Sequence, residues 1–536
     1  MTGETLDYLI IGAGPAGLQL AALLEQDGRR DYLVLEGADV PGAFFARFPR
    51  HRQLISINKP HTGSDDPELN LRLDWNSLLS DDPALRFTRY TDRYFPDADV
   101  MLRYLADFAA ATGARVRYRS RVVRVSRAAG GGFAVTDQHG TTYRARRLVV
   151  ATGVSQPYVP AIPGVAHAER YDTMPVDPAD FLDQRVLIIG KGNSAFETAD
   201  NLMETTTLIH LAGPSSIRMA WRTHYVGHLR AVNNNFLDTY QLKSANAILD
   251  GTVRGIEPDG DGYRVTFSFF RADEVTKELH YDRVLLCTGF RFDPSIFDES
   301  CRPALVIDDR FPAQSAEWES LDVPDLFFAG TLSQERDFKR STSGFIHGFR
   351  YAVRALHRIL ERRYHDTPWP AEKLDPTGEA MADAVIARLN RTSALWQQFG
   401  VLADVLTVAG AGGDGPETAA ADARYHEEVP VEYFSQYGLS TPDHSVEHAF
   451  VVTLEYGPEH DQVDPFDVSV TRVAQDVVGQ AHDAAYLHPV VRYHHQGRVA
   501  AVHHLAENLE NQWNRPDVHR APLVAFLGRC LDATGD

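Results

Sequence analysis

The chain has 536 residues, 44% of them hydrophobic and 24% charged, with a formal net charge of −20. That length exceeds what one core usually serves, so several domains are expected, and the negative charge argues against nucleic acid or an anionic membrane as partner. No apolar run approaches the ~20 residues of a membrane span, and the opening MTGETLD is too short and polar for a secretory signal, so a cytoplasmic protein is expected. Cys287, Cys301 and Cys530 lie far apart and form no CxxC redox pair.

The first element is an apolar run, Tyr8 to Ile11, which reads as a buried parallel strand. Gly12-Ala13-Gly14-Pro15-Ala16-Gly17 follows at once, then leucines and alanines at helical spacing, then a second strand from Tyr32 to Leu35 ending in Glu36. This is the dinucleotide fingerprint in its strand–turn–helix–strand context. Gly12 permits the tight turn, Gly14 admits a pyrophosphate, and Gly17 lets the helix sit on the strand. The helix N-terminus offers its free amides to phosphate, and Glu36 stands where a carboxylate accepts from ribose hydroxyls.

A long, weakly periodic stretch follows, from Gly37 to about Leu79, rich in arginine, histidine and aromatics. Loops of this length tend to be functional. Asn58 is the residue singled out beside a flavin ring, with Arg47, Arg50, His51 and Arg52 upstream; each arginine taken alone reads as a solvated charge. Val100 to Ala109 is an amphipathic helix ended by Gly113. Arg115 to Val125 alternates basic and apolar residues and reads as a half-exposed strand pair or a strand with a bend. A small meander from Phe133 to Arg144 leads to a strand entering Ala151-Thr152-Gly153.

Val186 to Glu197 is a second fingerprint, with Gly190-Lys191-Gly192-Asn193-Ser194-Ala195 as its turn. The strand after it, Thr207 to Leu211, has no terminal acid; Ser215, Ser216 and Arg218 follow instead. An acid would repel a 2′-phosphate, whereas serines and an arginine bind one, so this site reads as NADPH rather than NADH, with Lys191 adding positive charge. Trp221 to Ser244 is dense in polar and aromatic residues. Strand-like runs at Tyr263–Phe270 and Arg283–Cys287 come next, the latter entering Thr288-Gly289. Asp325 to Gly330 is a last strand and turn, and Ser343 opens a helix to about Tyr364. Beyond Thr367-Pro368-Trp369-Pro370 a helical stretch to about Val408 is expected, then a linker-like run, Gly410 to Ala423, then mixed strands and a terminal helix near Leu523–Cys530. The histidines His488, His494, His495, His503 and His504 have no ligand spacing that argues for a metal.

Two dinucleotide sites in one chain imply a flavin beside a nicotinamide, with hydride passing from NADPH to FAD across a cleft. Reduced flavin delivers electrons to a cysteine pair, an organic acceptor or dioxygen. The sequence holds no adjacent cysteine pair, so an organic acceptor and dioxygen remain; dioxygen would call for a dry site acting on a soft nucleophile.

The fingerprint order, with Phe95-Pro96 before the Tyr104-Leu105 helix, resembles the class B flavin monooxygenases. Longer strings (FFARFPRHRQLISINKPHTG, GNSAFETADN, HYVGHLRAVNN, STSGFIHGFRYAVRA, LHPVVRYHH) resemble the FAD-dependent oxidoreductase domain-containing proteins, over nearly the whole chain. The endoplasmic-reticulum members of that family carry a signal peptide and a retention signal, and neither is expected here; Ile162 to Tyr171 matches the flavin-containing monooxygenase signature only loosely. The resemblance implies FAD at Gly12–Gly17, Glu36 and Gly330, and NADPH at Gly190–Ala195. Candidate cofactor contacts are completed by Phe45, Leu54, Val123, Ala151, Thr152, Gly153, Ser215, Arg218, Gly289 and Phe345. Asn58, Arg52 and Arg222 are the catalytic candidates. For an anionic substrate, Arg47, Arg52, Arg72, Arg222 and Arg230 are the possible anchors. The resemblance further implies N-oxygenation of a small amine or amino acid such as aspartate in antibiotic biosynthesis; a reductase serving a thiol or protein acceptor is the alternative. The fold expected is α/β: two interleaved Rossmann-like dinucleotide-binding domains, for FAD (1–160 and 291–366) and NADPH (161–290), with a C-terminal α+β extension (367–536). Oligomeric state is open.

Overall fold

The computed structural model describes residues 5–26, 30–241, 245–269, 272–409, 422–442, 444–458, 460–469 and 473–532. Most of the expected linker, 410–421, and the end of the Trp221–Ser244 segment, 242–244, lie outside the described residues.

The first sheet is assembled around Leu6–Ile11, which runs parallel to Tyr32–Leu35 on one side and to Thr142–Val150 on the other. Its order is Val116–Arg117, Tyr32–Leu35, Leu6–Ile11, Thr142–Val150, Phe133–Asp137, Val122–Arg127. The long strand Thr142–Val150 shares one edge between two partners. Its first half pairs antiparallel with Phe133–Asp137, and its second half pairs parallel with Leu326–Phe328. The returning strand thus reaches the fingerprint from 300 residues away, because a parallel sheet covered on both faces favours a continuous apolar run such as LFF.

The second sheet is wholly parallel, in the order Ala247–Asp250, Leu208–Gly213, Arg185–Ile189, Arg283–Leu286, Glu169–Arg170. A three-stranded antiparallel meander (Thr252–Asp259, Gly262–Phe269, Val275–Tyr281) is inserted before its fourth strand. The two sheets are bridged by a short antiparallel pair, Gln156–Pro157 with Phe290–Arg291.

The C-terminal part is a six-stranded sheet, in the order Glu372–Leu374, Ala423–Pro430, Leu402–Ala409, Val446–Glu455, His488–His495, Arg498–His504. Here one expectation is corrected. The helix Gly378–Arg391 ends well short of Val408, and Leu402–Ala409 is a central strand flanked on both sides. Its run LADVLTVA is buried at seven of eight positions, and an apolar run of that length fits a buried strand as well as a helix. The histidines lie along the last two strands, where His488 and His504 hydrogen bond to each other at 2.9 Å.

Helix Ile346–His365 stands between the first and third sheets, and a single apolar cluster runs from Tyr8 and Leu20 through Leu356 to Leu406 and Trp513. Charged groups cross the same boundary. The buried Glu428 carboxylate bonds Arg354 and pairs with Arg358 of that helix, and it also pairs with Arg388 of the extension. Among the described residues, no helix is long and apolar enough to cross a membrane.

Candidate functional site

The turn at Gly12–Gly17 is fixed by contacts only glycine permits. Gly12 has φ +103°, and a Cβ on Gly17 would lie 2.0 Å from the Gly12 carbonyl oxygen. Gly330, at φ +74°, abuts Ala16, where a Cβ would meet the alanine methyl at 2.6 Å. Three strand ends therefore converge: the fingerprint, Ala151–Gly153 and Gly330. Opposite Gly14 and Gly153 nothing lies within 4 Å of a notional Cβ, so their backbone faces open space. Glu36 is held at this turn, its carboxylate accepting from the Ala13 and Ala38 amides at 2.8 Å each.

A cavity of about 420 Å3 opens from this point. Gly14, Pro15, Ala16, Ala151, Thr152, Gly153 and Gly330 form one wall. Asn193 and Ser194 of the second fingerprint, with Glu197, form another; Phe45, Leu54 and Phe345 stand between them. The two fingerprints thus face one chamber, as hydride transfer between two bound dinucleotides requires. Gly289 borders a narrow adjoining recess with Tyr158, Tyr171 and Ser194. Gly190 is pressed against the Cys287 carbonyl, Ala195 is buried, and Gly192 faces open space.

The catalytic candidates sit elsewhere. Asn58 is fully buried, its amide donating to the Thr91 and Arg93 carbonyls at 2.7 and 3.2 Å, and it is not among the cavity-lining residues. Arg52 is spent on structure: it donates to the Phe45 carbonyl at 2.7 Å and pairs with Asp99. Arg222 is exposed and outside the cavity wall, on a short turn of helix. Val123 is 49% exposed on an edge strand, facing water rather than a cofactor. Lys191 is buried against Asp250, 2.5 Å away, so its charge is neutralised internally instead of facing a phosphate. Ser215 and Arg218 are exposed just beyond the second sheet's strand Leu208–Gly213.

Of the five anchor candidates, Arg230 alone lines the cavity. Arg47 bonds the Asp172 carbonyl, and Arg72 bonds the Leu389 and Thr392 carbonyls. The Arg230 guanidinium lies 5.2 Å from the Trp75 ring, whose centroid is 4.2 Å from that of His347. His347 is buried, neither ring nitrogen has a hydrogen-bond partner, and burial drives it well below the ordinary histidine range. Glu197 was legible only as part of a helix. Standing four residues after Asn193, it shares that residue's helical face, which is the signal that would have found it. Its carboxylate accepts from the His51 amide and the Tyr171 hydroxyl, 3.2 Å each, and burial raises it to about 7. Trp75, Arg230 and His347 come from three distant segments, and no local pattern joins them.

Flat apolar walls, uncovered glycine backbone and an orphaned imidazole fit a planar, hydrogen-bonding ring system such as isoalloxazine. The loop carrying Arg230 is held from two sides. Asn193 donates to the Gly227 and His228 carbonyls, and His224 stacks on Tyr456 at 4.8 Å and lies tilted against His460 at 5.3 Å, both in the extension.

Comparison with known proteins places these features. Residues 9–330 match the pyridine nucleotide-disulphide oxidoreductase family. FAD-dependent oxidoreductase domain-containing protein 2 of Mus musculus is 41% identical over 575 residues, covering 98% of this chain and 84% of its own. A flavin-containing monooxygenase from Stenotrophomonas maltophilia has the same fold at a TM-score of 0.53 and 20% identity, over 67% of this chain and 99% of its own. So does a cadaverine monooxygenase bound to FAD from Erwinia amylovora, at 0.53 and 14%, over 67% and 95%. The chain belongs to the pyridine nucleotide-disulphide oxidoreductases and, within them, to the FAD-dependent oxidoreductase domain-containing proteins; it is an FAD-dependent oxidoreductase built on the two-dinucleotide fold of the class B flavin monooxygenases.

Proposed function

We propose that the chain is an NADPH- and dioxygen-dependent monooxygenase that oxygenates the nitrogen of a small amine or amino acid, with acidic amino acids such as aspartate among the candidates, in a biosynthetic pathway. The observation that carries this reading is one cavity joining both fingerprints, lined by an arginine and without a thiol. Bound there, FAD supplies acceptance of hydride from NADPH and activation of dioxygen.

The residues supply the rest. Phe44, Phe45, Phe48 and Phe349 make the chamber apolar, which excludes water from the reacting centre. Arg230 offers an unpaired, part-buried guanidinium to a substrate carboxylate. Glu197, poised near 7, holds or releases a proton at its carboxylate. A substrate amine must be neutral to attack electrophilic oxygen, and the same desolvation favours the neutral amine.

The test is NADPH consumption by the FAD-loaded protein against a panel of amines and amino acids, with product identified by mass. Oxygen incorporated at nitrogen supports the reading; substrate-independent NADPH loss yielding only peroxide overturns it. The second reading, a reductase for a thiol or protein acceptor, is favoured by the family's disulphide-oxidoreductase description. It must contend with Cys287, fully buried and pushed up to about 12 by burial, and with Cys301 and Cys530, both buried. Turnover of a dithiol acceptor by NADPH without oxygen would decide for it.

A further inference from the structure

Four cations gather outside the cavity, and among the described residues none of them is ion-paired to an acid. Arg218 follows the second sheet's strand Leu208–Gly213. Arg291 lies in the bridge between the two sheets, its guanidinium 3.9 Å from the Tyr158 ring. Arg310 and Lys339 come from the flavin side and share one aromatic ring, Phe338, at 5.6 and 5.0 Å. Their charges act on one another. Burial, then Arg310 and Arg218, hold the Lys339 ammonium below its usual range. Burial, then Arg218 and Lys339, push His228 down to about 4. Arg310 is lowered by burial and then by Arg291, with Asp308 acting in the opposite sense but making no ion pair.

Among the described residues, none of the four makes an ion pair or a side-chain hydrogen bond. The chain carries 73 acidic residues against 53 basic ones, so an internal counter-charge was readily at hand. Like charges gathered without one favour an anion from outside. The position says which. Arg291 is two residues beyond Gly289, and both Gly289 and Gly192 face open space. The His228 carbonyl is bonded to Asn193, which opens the second fingerprint's helix. The Tyr225 hydroxyl, bonded to the Gln334 amide, ties this loop to the flavin-side segment that carries Lys339.

We infer that Arg310 and Lys339 reach across from the flavin side and close with Arg218 around the phosphate groups of the adenylate half of NADPH, so that both dinucleotide-binding domains hold the nucleotide. Arg291 adds charge at the bridge. The inference rests on the NADPH reading above.

The experiment is calorimetric binding of 2′,5′-ADP, which carries both phosphate esters of that half, to the FAD-loaded protein. The wild type is expected to bind it, with affinity falling as salt rises. Arg310→Gln with Lys339→Gln should weaken binding at least about tenfold, with flavin content and absorption spectrum unchanged. Lys339→Arg should stay close to wild type. Should the double variant fail to fold, Lys339→Gln alone and the wild-type salt dependence carry the test, and a salt-independent affinity overturns the clamp. Wild-type-like binding by the double variant also overturns it and leaves the NADPH reading standing. A wild type that ignores 2′,5′-ADP yet is reduced by NADH removes both.

Discussion

The Tyr171 hydroxyl donates to the Glu197 carboxylate at 3.2 Å, on the cavity wall where the second fingerprint meets the flavin side. Tyr171 itself stacks on Phe48, so the acid is oriented by a residue that is in turn fixed by the apolar wall.

Glu197 therefore gives the fold a pH dependence of definite sign. Burial raises it from 4.5 to about 7, so the folded chain keeps a proton that the unfolded chain releases. Stability falls as pH climbs from about 4.5 to about 7 and is flat above. Glu197→Gln should gain up to about 3 kcal/mol at pH 8 and little at pH 4.5, read by urea unfolding at both values. It should also flatten any inflection near pH 7 in the rate of flavin reduction by NADPH.

The two glycines of the first turn fail differently. Gly17→Ala forces a methyl against the Gly12 carbonyl oxygen, a backbone atom that cannot move aside cheaply, and should abolish soluble protein or lower its melting temperature sharply. Gly14→Ala meets no protein atom, so the chain should fold as well as the wild-type apoprotein yet bind FAD at least about tenfold more weakly. Melting curves with and without added FAD separate the two.

On the proposed function, Arg230 is the residue that would select for a substrate carboxylate, since it lines the cavity. Arg230→Met should raise KM for an amino-acid substrate by about 10- to 100-fold, the worth of a charge-assisted bond, and leave an uncharged amine analogue nearly unaffected. Equal losses on both would remove Arg230 from the carboxylate role.

Glu428 ties the extension's sheet to helix Ile346–His365. Three arginines press its carboxyl down to about 2 against its burial, and replacing it by Gln leaves them facing an uncharged amide. A loss of about 3–5 kcal/mol is expected at pH 7. In the wild type the stabilising charge is complete above about 4.5 and is lost as pH falls toward 2. Denaturant titrations of both proteins between pH 3 and 7 check this, since the variant should lose less on acidification.

How much was legible follows from the range of the signal. Each fingerprint is written in consecutive residues, because turn, helix start and strand obey local rules, and Glu36, Asn193 and Gly330 could be placed without coordinates. Leu402–Ala409 misled because a buried strand and a buried helix share an unbroken apolar run. The arginines misled for another reason. Composition shows that a cation is present, but only packing shows that Arg52 is committed to the Phe45 carbonyl while Arg230 stays free. Trp75, Arg230 and His347 meet through tertiary contacts between segments some 270 residues apart at the extremes, which no window on the sequence spans.

One apolar body extends from Tyr8 to Trp513 through helix Ile346–His365. Among the described residues this apolar body has no seam near Thr367 at which the extension could be cut away. Proteolysis or truncation near Thr367 would strip the far side of that helix to solvent, and with it the support beneath Phe345 and His347.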